Sequence, residues 1–473
     1  MLTLADVVEA LTGVHPPGGQ EIITETVVDS RQAIPGAMFV ALPGAQRDGH
    51  EFVPDAFGRG ATLALVARPV AGCTLLDVRA GFPAQAWQGF RTPACLQVED
   101  TLAALQAVAR FWRRKMAHVR VVGITGSVGK STTKELTAQV LSRRYRTLKN
   151  IGNFNNEIGL PLTLLRLTEG YERAVLEMGF YVPGDIALLC EIARPQIGVV
   201  TNIGLVHAER AGTQETIARG KAELVEALPP EPEGVAVLNY DDPLVRAMAG
   251  KTQARVFFYG LSRQADLWAD AIEGLGLEGI RLRLHYRGET LTVKVPLLGR
   301  HSAHTVLRAA AVGLAEGLAW GDIVAGLRAG YTQLRLVAVR SESGALLLDD
   351  TYNASPQSTL AALNLLADLP GRRVAVLGDM LELGPYEQES HRKVGLRAAE
   401  VASLLVTVGP RAHWIAEAAR EAGLPPSRVL ETETAEAAID LLRQRLRPGD
   451  VVLVKGSRGV QMDRIVGALE AAA

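Results

Sequence analysis

The sequence predicts an α/β protein built as three consecutive units. Three observations carry this. The chain of 473 residues is longer than one ordinary domain. Short apolar runs closed by Gly or Pro alternate with stretches of helical spacing, the pattern of parallel sheets covered by helices. The span Trp268 to Leu298 breaks that alternation. Its period-two segments IRLRLHY and TLTVKV flank Arg287-Gly288, which predicts an antiparallel hairpin added to the middle sheet. The expected units are 1–98, a small N-terminal α/β unit; 99–328, a central parallel sheet opening on a phosphate-binding loop; and 329–473, a Rossmann-like α/β unit.

Bulk properties exclude several classes. A net charge of −1 leaves no basic surplus for nucleic acid. The three cysteines, Cys73, Cys95 and Cys190, are odd in number and widely spaced. They form neither a disulfide framework nor a zinc pattern, which predicts a reducing, cytoplasmic setting. The opening MLTLADVVEALTG has no basic leader, and Leu4, Val7, Val8 and Leu11 fall at helical spacing, so it reads as an amphipathic helix. No apolar run is long enough to cross a bilayer, and no membrane insertion is expected. Nothing points to a stable oligomer; a monomer is expected.

In the first unit, strands are expected at Ile22 to Val28, Met38 to Ala41 and Leu63 to Val66. Asp29-Ser30-Arg31 follows the first, and Asp48-Gly49-His50 marks a turn; on residue chemistry alone both fit ordinary surface turns. DTLAALQAVARFWRRK, 100 to 115, begins with a capping Asp and predicts a helix into the second unit. There, strands are expected at Ala174–Met178, Ile197–Thr201, Val235–Leu238 and Val256–Tyr259, with helices at 214–227 and 302–318. The third unit predicts strands at 335–340, 345–349, 373–377, 403–408 and 451–455, and helices at 356–368, 387–400, 411–422, 434–446 and 460–471. It lacks Gly-x-Gly-x-x-Gly after its first strand, so a dinucleotide site is not supported.

Chemistry concentrates at strand ends. The run Val119 to Ile124 leads into Thr125-Gly126-Ser127-Val128-Gly129-Lys130-Ser131-Thr132, where a helix begins. Backbone N–H groups and a helix N-terminus there suit phosphate oxygens; Lys130 suits the β- and γ-phosphates and the Ser131 hydroxyl suits Mg²⁺. Ile124 occupies the place of the first Gly in the full Gly-x-x-x-x-Gly-Lys-(Ser/Thr) motif, so the loop is a short form. ATP is the expected nucleotide. Glu177 closes the run AVLEMG and suits Mg²⁺, ahead of the alternative of a solvated strand end. His207, after TNIGLV, reads on residue chemistry alone as a core or surface histidine ahead of a metal ligand, and Lys221 in IARGKAEL reads as an exposed helix lysine. Asn153, Asn155 and Asn156 predict a polar loop lining a cleft. In the third unit, Asp349 to Asn353 and Lys455-Gly456-Ser457-Arg458 are two more polar strand ends; Asp379 and His391 fit the same face.

Taken in order, DSRQAIPGAMFVALPG, RDGHEF, GITGSVGKSTTKE, GNFNNEIGLPLTLL, LEMG, TNIGLVHAE, IARGKAEL, GRHSAH, LLLDDTYNASP, VLGDMLELG and VLVKGSRGVQMD give the chain a resemblance to the Mur ligases over essentially its whole length. The resemblance implies ATP-dependent amide formation in peptidoglycan precursor synthesis, with small-molecule substrates. It implies two Mg²⁺ ions, one on Ser131 and Glu177 and the second helped by His207. It implies that Lys221 carries a CO₂-derived carbamate and that Ser30 and Arg31 bind a UDP moiety. Asn155 and Asn156 would touch the muramoyl-peptide substrate. Arg335 and the Asp350, Tyr352 and Asn353 loop would close over ATP. By charge and position, Lys455, Ser457 and Arg458 would place the incoming dipeptide. Ser302 and Thr305 stand where the family has asparagines at the adenine and ribose; they keep a hydroxyl and lose the amide's paired donor and acceptor. No Asp-Asn-Pro-Arg segment occurs. Its absence favours the branch that joins D-alanyl-D-alanine to a UDP-N-acetylmuramoyl-tripeptide. Other Mur ligases, a folylpolyglutamate synthase, a regulatory ATPase and a small-molecule kinase are the alternatives.

Overall fold

The computed structural model describes residues 1–44, 47–205, 208–329 and 337–471. Three sheets follow one another along the chain, and each is organised by a run of buried β-branched and leucine residues.

The first sheet has five parallel strands in the order Thr26–Val27, Met38–Val40, Leu63–Val66, Ala94–Gln97, Thr74–Asp77. The opening helix, Leu4–Thr12, is capped by Thr3 in a reciprocal pair with Asp6 and buries Leu4, Val7 and Val8. Two corrections apply. The strand expected from Ile22 is only Thr26–Val27, because Ile22 is spent on an isolated bridge to Thr3. The strands Thr74–Asp77 and Ala94–Gln97 escaped the sequence pattern, the first because three of its four residues are not buried and carry no run.

The second sheet has nine strands, in the order Glu289–Val295, Ile280–Tyr286, Leu267–Gly274, Arg255–Gly260, Val235–Asn239, Ile197–Val200, Arg120–Thr125, Arg173–Glu177, Thr147–Lys149. The pairings from Leu267–Gly274 to Thr147–Lys149 are parallel, and the first two are antiparallel. The expected hairpin turns at Arg287 (φ 48°) and Gly288 (φ 82°), a left-handed pair that matches strand twist. Helix Thr101–Lys115, capped by Asp100, joins the first two units. The strand Arg120–Thr125 lies between Ile197–Val200 and Arg173–Glu177, so its carboxyl end opens where both of these also end, the usual ligand position in such sheets.

The third sheet has six strands, with Val337–Arg340 antiparallel at one edge and five parallel strands beyond it. Helices Pro356–Asp368, Glu387–Val401, His413–Glu421 and Ala435–Arg445 fall on the expected stretches. The last helix starts at Asp463, not 460, because residues 458–460 form a 3₁₀ turn. The strand Val429–Thr432 was not anticipated: its short sequence VLET follows a proline turn with no apolar run.

The third unit rests on the second. Glu209 N–H donates to Glu382 O at 3.1 Å, and Gln357 packs so closely on Gly204 that a Cβ there would lie 2.8 Å from its Nε2. Leu298, from the second unit, is buried in the core of the third.

Candidate active site

The phosphate loop is held from one side by the next strand end. Ser127 N–H donates to Asn202 O at 2.9 Å, and Val128 N–H donates to Asn202 Oδ1 at 3.1 Å. Thr201 Oγ1 and Asn202 Nδ2 both donate to Val128 O, and Gly204 N–H donates to Ser127 Oγ at 2.8 Å. Gly126 is obligatory: its φ is 138°, and a Cβ would sit 1.9 Å from Thr201 Oγ1. Gly129, at φ 84°, is the N-cap of helix Lys130–Leu141 and leaves that helix's first N–H groups facing the loop. Thr125 is fully buried and donates to Met178 O. Lys130 Nζ donates to Gly126 O at 2.8 Å and Ser127 O at 3.1 Å, so its ammonium lies over the loop. Ser131 and Thr132 form the first turn of that helix.

Glu177 is the buried carboxylate of the site. Asn155 Nδ2 donates to its Oε1 at 2.9 Å, while Oε2 is buried with no hydrogen-bond partner. An anionic oxygen kept from water without a donor suits a cation. Mg²⁺ needs only one or two protein carboxylates beside phosphate and water, so Glu177 with the Ser131 hydroxyl fits it. Among the described residues no group of three or more His, Cys, Asp or Glu side chains forms a cluster. His207 lies outside the described residues, as does Arg335.

Asn150 fixes Glu177 from behind: its Oδ1 accepts the Glu177 N–H, and its Nδ2 donates to Glu177 O and to Phe154 O. Lys134 Nζ, one turn after Lys130, donates to Asn150 O and Gly152 O and so ties down the asparagine loop. Sequence reasoning missed both. The signal for Lys134 was its i, i+4 relation to Lys130 on one helix face. Asn156 Oδ1 accepts the Gly159 N–H and caps the next helix, so of the two asparagines it is Asn155 that reaches the site.

Lys221 is not an exposed helix lysine; that expectation is corrected. Helix Gln214–Glu226 packs so that its Nζ is buried, 3.2 Å from Gly126 O and 4.6 Å from the Phe180 ring centroid. Burial first, and Lys130 second, push its pKa well below the usual lysine value. The close approach is set by Gly220, where a Cβ would fall 2.1 Å from Phe180 Cε2. Gly220→Ala is expected to lower stability by about 2 kcal/mol despite alanine's better helix propensity. A thermal melt tests this, and a raised midpoint would contradict the packing argument.

Ser302 and Thr305 are buried on helix Ser302–Ala315: Ser302 Oγ donates to Leu298 O at 2.7 Å, and Thr305 Oγ1 accepts from Arg308 Nη2 at 3.2 Å. Across from the loop, the third unit contributes a cleft of about 620 Å³ lined by Ser131, Lys134 and Asn153 on one side and by Thr351, Tyr352 and Arg458 on the other. Lys455 lies beneath, paired with Asp350 at 2.7 Å and donating to Asn353 O. Ser457 Oγ accepts the Leu381 N–H. These two residues shape the 350–354 loop, and only Arg458 of the three lines the cleft. In the first unit, Ser30 is buried and bonds Asp55, while Arg31 is exposed and forks onto Asp29. His50 is buried, not on a surface turn: it bonds Asp48 and accepts the Ala67 N–H. His391 is likewise spent on Met380 N–H and Glu387 O, within its own unit.

The chain is similar to known proteins over its length. Residues 124–313 match the Mur ligase middle domain and residues 334–458 the Mur ligase, glutamate ligase domain. The chain is 36% identical to the UDP-N-acetylmuramoyl-tripeptide–D-alanyl-D-alanine ligase of Synechocystis, over 94% of this chain and 92% of that one. It is 34% identical to the Escherichia coli enzyme of the same name, over 99% and 98%. A crystal structure of MurF from Acinetobacter baumannii superposes with a TM-score of 0.82 at 29% identity, covering 98% of each chain. The MurF ligase of Thermotoga maritima in complex with ADP gives 0.76 at 29% identity, over 94% and 96%. A folylpolyglutamate synthase of Mycobacterium tuberculosis, 17% identical at 0.62 over 79% of this chain, shares the fold alone. Two consecutive family models and whole-length relatives thus agree, and the chain belongs to the Mur ligase family.

Proposed function

We propose that the chain is an ATP-dependent ligase joining D-alanyl-D-alanine to UDP-N-acetylmuramoyl-tripeptide, with release of ADP and phosphate. The observation that carries this is whole-length similarity to ligases of that name, together with a phosphate loop flanked by a buried carboxylate oxygen that has no donor. The units are assigned as 1–98 for the UDP moiety, with Ser30 and Arg31; 99–328 for ATP; and 329–473 for the dipeptide, with Arg458 lining the cleft. No helix among the described residues is long and apolar enough to cross a membrane. A cytoplasmic monomer is the proposed working form.

In the proposed reaction the tripeptide's terminal carboxylate attacks the γ-phosphorus. An acyl–phosphate bond forms, the γ-phosphorus–oxygen bond to ADP breaks, and ADP leaves with the electron pair. The dipeptide amine then attacks the acyl carbon, loses a proton, and expels phosphate. Phosphoryl transfer asks chiefly for positioning and charge neutralisation. The loop N–H groups and Lys130 supply these, and Thr125, Ser127 and Thr132 complete the loop. Mg²⁺ on Ser131 and Glu177 would add charge at the phosphate oxygens, with a second ion near His207. Asn155 orients Glu177. Arg335, Tyr352 and Asn353 would cover the nucleotide, beside Ser302 and Thr305. The contacts of Gln357 with Gly204 and of Glu382 with Glu209 hold the third unit over the second, which keeps water from the acyl phosphate.

Lys221 is the proposed site of a carbamate. Burial lowers the Lys221 pKa and so favours the free amine, which is nucleophilic toward CO₂: a nitrogen–carbon bond forms, one C=O electron pair moves to oxygen, and a proton leaves the nitrogen for solvent. The product is an anion placed beside Lys130.

Phosphate release from ATP tests the assignment. With the UDP-linked tripeptide and the dipeptide added singly, release is expected to stay at background. With both present it should run in step with a UDP-linked pentapeptide seen by mass. Release that ignores the dipeptide would refute the ligase and favour a regulatory ATPase.

A further inference from the structure

The second buried polar atom without a partner beside the phosphate loop is a donor, and it belongs to Arg308. Its side chain leaves helix Ser302–Ala315 and ends against Gly129: a Cβ at Gly129 would lie 3.1 Å from Nη1 and 3.5 Å from Nη2. Nε donates to His304 O at 2.8 Å and Nη2 to Thr305 Oγ1 at 3.2 Å, and the guanidinium lies 5.9 Å from the Tyr259 ring centroid. Nη1 is buried with no partner. Arg308 is only 4% exposed, and no Asp or Glu among the described residues is placed to neutralise it.

Arg113, the other buried arginine on a helix among the described residues, shows what a structural one looks like. Its Nε, Nη1 and Nη2 reach the carbonyls of Ala193, Met116 and Val119 at 2.7, 2.7 and 2.9 Å, tying the turn after its own helix to the end of helix Asp185–Ala193. Arg308 ties nothing of the kind. Its two bonds return to its own helix, within four residues. A buried cation with neither counter-ion nor a full set of acceptors is costly. An anion at the loop would relieve that cost, and the loop's own helix N-terminus attracts one at the same place.

We propose that Arg308 is a further nucleotide-site residue, a buried guanidinium set against Gly129 that supplies positive charge to the polyphosphate of the bound nucleotide. This rests on the reading of residues 125–132 as the nucleotide site. It gives the loop a second cation, at Gly129, independent of Lys130. Arginine keeps its proton at working pH even when buried, so the charge at Gly129 is a fixed one.

Calorimetric titration of the full chain with ADP and Mg²⁺ tests it. Arg308→Met and Arg308→Gln are each expected to lose at least about tenfold in ADP affinity, the scale of one charged hydrogen bond. Arg308→Lys, which keeps the charge, should lose less than either. Without nucleotide, Arg308→Met should melt no lower than the parent, because it removes an unsatisfied donor; a structural arginine would give the opposite. Unchanged ADP affinity in either neutral variant would overturn the proposal. So would a lysine variant no better than methionine, or failure of both neutral variants to fold. If the parent chain itself binds no ADP, the nucleotide reading falls and this one with it. Parent binding with unaffected variants defeats this proposal alone.

Discussion

Glu177→Gln is expected to lower turnover by about 10³-fold at saturating ATP, with the fold intact. The carboxylate has two distinct oxygens. Oε1 accepts from Asn155 Nδ2, and Oε2 is buried with no donor. In the variant, the amide oxygen keeps the Asn155 bond and the NH₂ group takes the place of Oε2. A donor then stands where a cation ligand is needed, and the site loses a negative charge. Losing one preorganised electrostatic contact at a developing charge costs about 10²–10³ in kcat, and a metal ligand lies at the upper end. Stability should change by less than about 1 kcal/mol, because one unsatisfied buried atom replaces another. The checks are kcat over a Mg²⁺ titration and a thermal melt of the same preparation. Near-normal turnover at ordinary Mg²⁺ would remove Glu177 from the metal site.

Lys221→Met is expected to abolish ligation to below about 10⁻³ of the parent rate while making the unmodified protein more stable at neutral pH. The side chain is 2% exposed and its amine touches one carbonyl and one aromatic face. Methionine fills the same volume without the amine. The sign of the stability effect follows from linkage. The amine's folded pKa is pushed well below the ordinary lysine value, by desolvation first and Lys130 second. The unfolded chain therefore binds more protons, and stability rises with pH towards that unfolded value and falls as pH drops towards the folded one. Lys221→Met removes this slope, which denaturant melts between neutral pH and pH 10 would register. Parent turnover should also fall in CO₂-depleted buffer and return with bicarbonate. A methionine variant that ligates normally, or a parent indifferent to CO₂, would exclude the carbamate.

Much of this molecule is legible in its residues. The strand Arg120–Thr125 and the turn after it follow from an apolar run that ends in Gly126 and Gly129, and both glycines hold left-handed φ. The hairpin around Arg287-Gly288 and the capped helix after Asp100 follow from local chemistry alone. Short edge strands such as Thr74–Asp77 do not, because half-exposed residues carry no periodic signal.

The site divides along the same line. Sequence by itself determined the α/β class, the phosphate loop, and Glu177 at a strand end, because strand-to-loop transitions and glycine geometry are local in the chain. Only the tertiary structure decided which polar groups are buried and against what. It turned Lys221 from a surface lysine into an enclosed amine, since Gly220 lets Phe180 close over it. It assigned Asn155 to Glu177 and Asn156 to a helix cap, and it drew Lys455 beneath a loop while leaving Arg458 in the cleft. It set the Arg308 guanidinium against Gly129, 179 positions earlier in the chain by subtraction of their numbers. Desolvation depends on every neighbour in space, and no short stretch of sequence contains those neighbours.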